Sequence, residues 1–292
     1  MHLVTVTCNR DFNQMLLQAE SINKFLKPYS NHYVIVNEPN PDLNFWFEWL
    51  GHHYTNHKLH LLPSINHDYG NIHLQKSSTN GWITQQLQKL LISYLINDDY
   101  VILDSKNFFI RETDMNKWEG AIGSTNSGES TTYKSSGDCY AEYLGVEKRD
   151  QLFYAYTPFV IRRKDIVDRK DIDFFNLANA VFYPESKGFL TSEFTFYSYL
   201  VDPKHPIWTI ENNPTPKTGM FFCKTEYKNF PNDMITDLIN ECNDEETRIL
   251  GIHPRLLSQI DRQTLEFINS LLYSKFGLQT KLLPLPTNSL VK

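Results

Sequence analysis

The stretch with the clearest chemical content is Tyr100-Val101-Ile102-Leu103-Asp104-Ser105-Lys106-Asn107. An apolar strand ends abruptly in a carboxylate, a cation and an amide. Open α/β sheets bind ligands or metals beyond the carboxyl ends of their strands, which is where Asp104, Lys106 and Asn107 would sit. Asp104 alone reads equally well as structural; the three together make a stronger case for a site. A second pattern lies upstream, Gly81-Trp82-Ile83-Thr84-Gln85-Gln86-Leu87-Gln88-Lys89-Leu90. At helical spacing Trp82, Gln85, Gln86 and Lys89 share one face, with Leu87, Leu90, Leu91 and Tyr94 on the side facing the core. A ring, two amides and an ammonium suit a sugar diphosphate: the ring stacks, the amides bind hydroxyls, the ammonium binds phosphate. The plainer reading is a solvated face, against which Trp82 argues.

Three further groups carry weaker signals. In Thr7-Cys8-Asn9-Arg10-Asp11, after the first strand, Asn9, Arg10 and Asp11 could bond a base, a ribose or a phosphate at a helix N-terminus. Asn9 or Asp11 could equally cap that helix. No glycine-rich phosphate loop is present, which argues against Rossmann dehydrogenases and P-loop enzymes. Thr191-Ser192-Glu193 reads as a helix start with Thr191 as cap. Glu193 is then a general base, a contact to a donor hydroxyl, or a carboxylate favoured by the helix dipole. In Gly251-Ile252-His253-Pro254-Arg255, His253 is a possible metal ligand or a surface or capping residue. The cluster His52, His53, His57 and His60 lacks partnering carboxylates and reads as surface or loop.

These residues need elements to position them. Leu3 to Thr7 reads as a strand, Asp11 to Lys27 as an amphipathic helix, and Tyr33 to Val36 as a second strand. That βαβ order predicts a parallel sheet. A short helix follows over 41–50, a strand over 58–62, a loop over 63–80, a strong helix over 81–96 and a buried strand over 100–103. The polar stretch 124–137 reads as a mobile loop that could act as a lid. Beyond it come a strand at 159–161, helices at 171–180 and 192–200, strands at 220–223 and 249–252, a helix or helix pair over 255–276, and an extended tail over 277–292. No repeat or linker divides the chain, so a single domain is expected. It is expected to have two halves, 1–123 and 124–276, and an extended tail.

Composition narrows the classes. The chain has 292 residues, a net charge of −6 and no long basic block, which argues against nucleic acid as a partner. No segment approaches the roughly 18 apolar residues of a membrane span. The four cysteines are widely spaced, with no C-x-x-C, so free thiols in a reducing, cytoplasmic setting are expected.

Residues 81–111, GWITQQLQKLLISYLINDDYVILDSKNFFIR, resemble a largely uncharacterised glycosyltransferase-like family of bacteria and viruses. Tyr156-Thr157-Pro158-Phe159-Val160, Thr191-Ser192-Glu193-Phe194 and Tyr197-Ser198-Tyr199-Leu200 extend the likeness. The resemblance implies an α/β fold of the GT-A type with a mostly parallel central sheet, a nucleotide-sugar donor, and sugar transfer to the hydroxyl of a glycan or other acceptor. Taken with the residue patterns above, the expected catalytic residues are Asp104, Lys106 and Glu193. Thr7, Asn9, Arg10, Asp11, Trp82, Gln85, Gln86, Lys89, Asn107 and Arg111 are assigned to substrate binding.

GT-A enzymes typically hold Mn2+ or Mg2+ on an Asp-x-Asp motif, where the metal stabilises the leaving diphosphate. Here the motif reads Asp104-Ser105-Lys106. Two expectations follow. In one, Asp104, Asn107 and His253 still bind the metal. In the other, Lys106 supplies the positive charge and the enzyme is metal-independent. The alternatives are a sugar nucleotidyltransferase and a degenerate, non-catalytic sugar- or nucleotide-binding protein.

Overall fold

The computed structural model describes residues 1–28, 30–65, 80–118, 125–126, 131–149, 152–153, 157–173, 192–201 and 217–284. The first part of the chain runs β1 (His2–Thr7), α1 (Phe12–Phe25), β2 (Leu26–Lys27), β3 (Asn31–Val36), α2 (Leu43–Leu50), β4 (Lys58–Pro63), α3 (Asn80–Leu91) and β5 (Tyr100–Asp104). It continues with β6 (Asn107–Phe109), β7 (Thr113–Asp114), β8 (Thr125–Asn126), α4 (Thr131–Leu144), β9 (Leu152–Phe153), β10 (Phe159–Ile161), α5 (Arg163–Val167) and α6 (Glu193–Tyr197). The last elements are β11 (Lys217–Phe221), α7 (Asn232–Asn243), β12 (Thr247–Ile252), α8 (Pro254–Leu257) and α9 (Arg262–Phe276).

Five strands form the main sheet in the order β10-β5-β1-β3-β4. β1 pairs in parallel with β3 and β5, and β3 with β4, while β10 runs antiparallel to β5. The chain therefore builds outward from β1 on one side and then crosses to its other side. The carboxyl ends of β1 and β5 flank the resulting switch point, where such sheets leave a crevice.

Strand alternation divides the core. Val4, Val6, Tyr100, Ile102 and Phe159 pack with Leu87 and Leu90 of α3 and Phe194 and Phe196 of α6. Leu3, Val101, Leu103 and Val160 face the other way, against Ile22, Phe109 and Trp118. A second sheet, β11-β12-β6, has its own core of Met234, Leu238, Leu250, Leu256, Ile268 and Leu272, joined by Leu17 of α1.

α1 carries a buried polar seam as well as apolar faces. Gln14, Gln18 and Ser21 are buried and follow one another at helical spacing. Gln18 Oε1 accepts from Thr5 Oγ1 at 2.9 Å, and its Nε2 donates to the Asp104 and Asn107 carbonyls at 2.7 and 2.8 Å. Ser21 Oγ accepts from the Phe109 N–H at 3.0 Å, and Gln14 Nε2 donates to the Ile252 carbonyl at 2.6 Å. The amides thus tie β1, the β5–β6 turn and the end of β12 to one helix.

Several expectations change. The stretch 124–137 carries β8 and the start of α4, not a loop throughout; 124 and 127–130 lie outside the described residues. The helix forms because Tyr140 and Ala141, with Cys139, Tyr143 and Leu144, make an apolar stripe that packs on the main core. Of the helix expected over 171–180, residues 171–173 are not helical and the rest lies outside the described residues. α5 stands just upstream instead. The last helix is a pair, broken before Asp261, whose side chain accepts from the Thr264 N–H at 2.7 Å. α7 had no expectation. His57 is buried, accepting from the Ser30 N–H at 3.3 Å, so the histidine cluster is not all surface.

Gln18→Leu preserves volume but strands the Asp104 and Asn107 carbonyls. The expected loss is about 2–4 kcal/mol, since each unsatisfied buried acceptor costs about 1–3 kcal/mol. Urea unfolding should show a lower midpoint with an unchanged slope. Wild-type stability in the variant would rule out a structural role for the seam.

Candidate functional site

Asp104 is the last residue of β5 and alternates with Tyr100 and Ile102, so it points to the face covered by α3 and α6. Two ammonium groups meet it there. Lys89 Nζ, from α3, lies 2.9 Å from Asp104 Oδ1 and 2.7 Å from Glu193 Oε1. Lys106 Nζ donates to Asp104 Oδ2. Lys89 is 3% and Glu193 1% exposed, so this is a desolvated ion-pair network rather than a solvated helix face. Lys89 Nζ also sits 5.3 Å from the Phe194 ring centroid.

The surroundings separate the groups electrostatically. Burial alone would raise the Asp104 carboxyl, but the Lys106 and Lys89 charges outweigh it and hold the group below the usual carboxylate range. Burial raises Glu193, and the pull of the Lys89 charge does not cancel the shift. Burial would lower Lys89, yet Asp104 and Glu193 hold it above its ordinary value.

Asn107 shapes the turn. Its Oδ1 accepts from the Asp104 N–H at 3.1 Å and from Thr157 Oγ1 at 2.6 Å, and Thr157 Oγ1 also lies 3.5 Å from Asp104 Oδ2. Thr157, just before β10, was not among the residues expected at the site. His253 follows β12, beside Lys106: the Ile252 N–H donates to the Lys106 carbonyl at 3.2 Å. Its Nδ1 accepts from the Arg255 N–H at 3.1 Å and caps α8. Burial, and then the Lys106 charge, lower its pKa to about 4, so the ring is neutral at pH 7.

The loop after β1 closes the other side of the crevice. Asp11 does not cap α1 with its side chain. Its Oδ2 accepts from Ser105 Oγ at 3.0 Å, joining the loops after β1 and β5, and Arg10 Nε approaches its Oδ1 at 3.5 Å. Asn9 does not cap either: its Oδ1 accepts from Trp46 Nε1 at 3.2 Å and its N–H donates to Glu38 at 3.1 Å. Thr7 Oγ1 is buried with no hydrogen-bond partner among the described residues. Gln85 Nε2 donates to the Val6 carbonyl at 2.9 Å, and Gln86 is buried.

Arg111, expected at the site, is not brought to the cluster. Arg111 donates to the Thr247 and Cys242 carbonyls at 2.6 and 2.7 Å, at the end of β12 away from His253. The side chain of Trp82 and all of Thr191 lie outside the described residues. Ser192 caps α6, accepting from the Thr195 N–H at 3.4 Å.

As arranged, the expected metal ligands do not fit a divalent cation. Both Asp104 oxygens accept from ammonium groups and Asn107 Oδ1 already accepts two bonds, while His253 Nδ1 caps α8 and leaves Nε2 as that ring's ligating atom. Among the described residues no group of three or more His, Cys, Asp or Glu side chains could hold a metal.

No family model and no curated protein matches the chain in sequence. Solved structures match it in fold. An active-site mutant of LgtC aligns over 94% of this chain and 96% of that one, at 10% identity and a TM-score of 0.52. Apo WbbM, a bifunctional glycosyltransferase, aligns over 87% of this chain at 12% identity and a TM-score of 0.50; this chain covers 46% of WbbM's length. Apo mouse xyloside xylosyltransferase 1 aligns over 86% of this chain and 96% of that one, at 9% identity and a TM-score of 0.47. The chain has the α/β fold of GT-A glycosyltransferases, with a mostly parallel sheet flanked by helices. No helix among the described residues is long and apolar enough to cross a membrane.

The Glu193 shift has a testable sign. Its folded pKa stands above the ordinary value of 4.5, so its contribution favours the fold below that pH and is lost as pH rises through the folded value. Glu193→Gln removes this loss. Chemical denaturation from about pH 4.5 to 8 should show the wild type declining relative to Glu193→Gln. A gap that widens in the opposite direction would mean that Lys89 lowers the Glu193 pKa.

Proposed function

We propose that the chain is a glycosyltransferase that moves a sugar from a nucleotide-sugar to an acceptor hydroxyl. The observation that carries this reading is the cluster of Lys89, Asp104, Lys106 and Glu193 at the switch point of a GT-A fold. The nucleotide lies along the loop after β1, where Thr7, Asn9, Arg10 and Asp11 border the crevice. The diphosphate lies at Lys106, the more exposed of the two ammonium groups.

In the transfer step the acceptor oxygen bonds to the sugar's anomeric carbon as the bond from that carbon to the diphosphate oxygen breaks. The acceptor proton leaves to solvent or base, and the nucleoside diphosphate departs with the electron pair. Lys106 neutralises the charge that grows on that leaving group, a role in which a fixed cation in a dry site acts strongly. Asp104 holds Lys106 in place before the donor arrives. Lys89 keeps Asp104 ionised, and Glu193 balances Lys89. Being buried and paired, Glu193 serves as a positioning residue in this reading, not as the proton acceptor.

Thermal shift against nucleoside diphosphates and nucleotide-sugars, with Mn2+ or with EDTA, tests it. A ligand at about 100 times its Kd adds about 2.7 kcal/mol of stability. One nucleotide should raise the midpoint equally in both buffers. Lys106→Ala should bind it about 10- to 100-fold more weakly, because a hydrogen bond to a charged group contributes about 1.5–3 kcal/mol. A strict need for Mn2+ would put a metal in place of Lys106. No shift with any nucleotide would favour a degenerate sugar-binding protein.

A further inference from the structure

Outside the crevice, α2 presents a face that no described residue covers. Phe45 is 43%, Phe47 58% and Trp49 52% exposed, while Trp46 and Leu50 of the same helix are buried. Helical spacing makes the split: residues 46 and 50 stack one turn apart toward the core, and 45 and 49 stack on the neighbouring face. Phe12, at the start of α1, extends that face. Its ring centroid lies 5.0 Å from Phe45, 4.9 Å from Trp46 and 6.4 Å from Trp49. The Phe45 and Trp49 centroids are 6.3 Å apart. The rings are held in place, since Asp42 caps the helix by accepting from the Phe45 N–H at 3.0 Å and Trp46 anchors it to Asn9.

Charge narrows what this platform takes. No Lys or Arg occurs from Pro28 to His57, whereas Glu38, Asp42 and Glu48 lie within that stretch. Arg10, in the adjoining loop, lies 3.5 Å from the Asp11 carboxylate, which offsets its charge. An anionic partner, whether nucleic acid, acidic lipid or acidic glycan, would meet net repulsion.

Size narrows it further. An aromatic side chain buries about 150–250 Å², so at their exposures Phe45 and Trp49 offer roughly 200 Å² together, on the face that Phe12 extends. That is well below the ~800 Å² per partner of a stable protein interface. A neutral sugar ring satisfies both limits. Its C–H face can lie on a flat ring while its hydroxyls donate to the carboxylates of Asp42 and Glu48, both exposed beside the rings.

We infer that the Phe12–Phe45–Trp49 platform is a secondary binding surface for a neutral glycan, separate from the site of transfer. Binding there does not require the transferase reading; the use of the bound chain as an acceptor does.

The test is titration of the full chain with cellohexaose, maltohexaose and a galactan-derived hexasaccharide, observed on the tryptophan indole N–H signals. The signal lost in Trp49→Ala identifies Trp49. At least one hexasaccharide should move that signal, and F45A/W49A should weaken its binding by about tenfold or more. The double variant should keep its melting midpoint and its response to nucleotides, which reads the transferase proposal separately. The inference is overturned if no hexasaccharide at about 10 mM moves the Trp49 signal. It is also overturned if F45A/W49A binds as the wild type does, or if phosphatidylcholine vesicles move the signal and the sugars do not.

Discussion

Everything at the crevice depends on one ammonium group that has been taken out of water. Lys89 is buried and survives there as a cation because two carboxylates from different elements reach it, Asp104 from β5 and Glu193 from α6. Desolvation of such charges is expensive, and their mutual attraction roughly offsets it when the geometry is good. The network is therefore a poor source of stability and a strong geometric constraint. Removing Lys89 or Asp104 takes away a charge that faces two others, which costs about 3–5 kcal/mol. α3, β5 and α6 must arrive in one relative position or not at all.

The constraint reaches the second sheet through α1. Gln18 bonds the carbonyls on both sides of Ser105 and Lys106, and Gln14 bonds the carbonyl just before His253. The β5–β6 turn that carries Lys106 is thus fixed from below by amides, while its carboxylate is fixed from above by ammonium groups. Asp11 adds a third tie through Ser105, so the loops after β1 and β5 move together. A side chain held by rigid secondary structure in this way needs little reorganisation when a ligand arrives.

The architecture was legible where periodicity is strong. β1, α1, β3, α3 and β5 each announce themselves by apolar alternation or helical spacing, and the βαβ order implies the parallel sheet. The likeness of residues 81–111 pointed to the GT-A fold that the solved structures share with this chain. Asp104 and Lys106 were legible because polar groups end an apolar strand. Lys89 was legible as a candidate, but its partner was not, since Glu193 lies 104 residues away and only the fold joins them. Gln14, Gln18 and Ser21 went unremarked because polar residues on an amphipathic helix read as its solvent face. Arg111 misled for the opposite reason: it lies close to the motif in sequence, yet β6 carries it away along the small sheet to the carbonyls of Thr247 and Cys242. Polar composition likewise masked α4, whose helix is decided by a narrow stripe near Tyr140.

Charge balance gives the departure from Asp-x-Asp a physical meaning. Two carboxylates and one divalent cation sum to zero, and so do Asp104 and Lys106. Among the described residues Lys89 and Glu193 form a second pair of opposite charges. A divalent cation added to this arrangement would have to displace an ammonium from Asp104 or leave the site with surplus positive charge. A diphosphate needs neither: Lys106 can turn from a carboxylate to a phosphate, and Asp104 remains compensated by Lys89. In that exchange the second ammonium is what makes the first one available. In the proposed transfer, the buried Lys89 matters without touching the substrate, because its pairing with Asp104 is what would let Lys106 stand in for a metal.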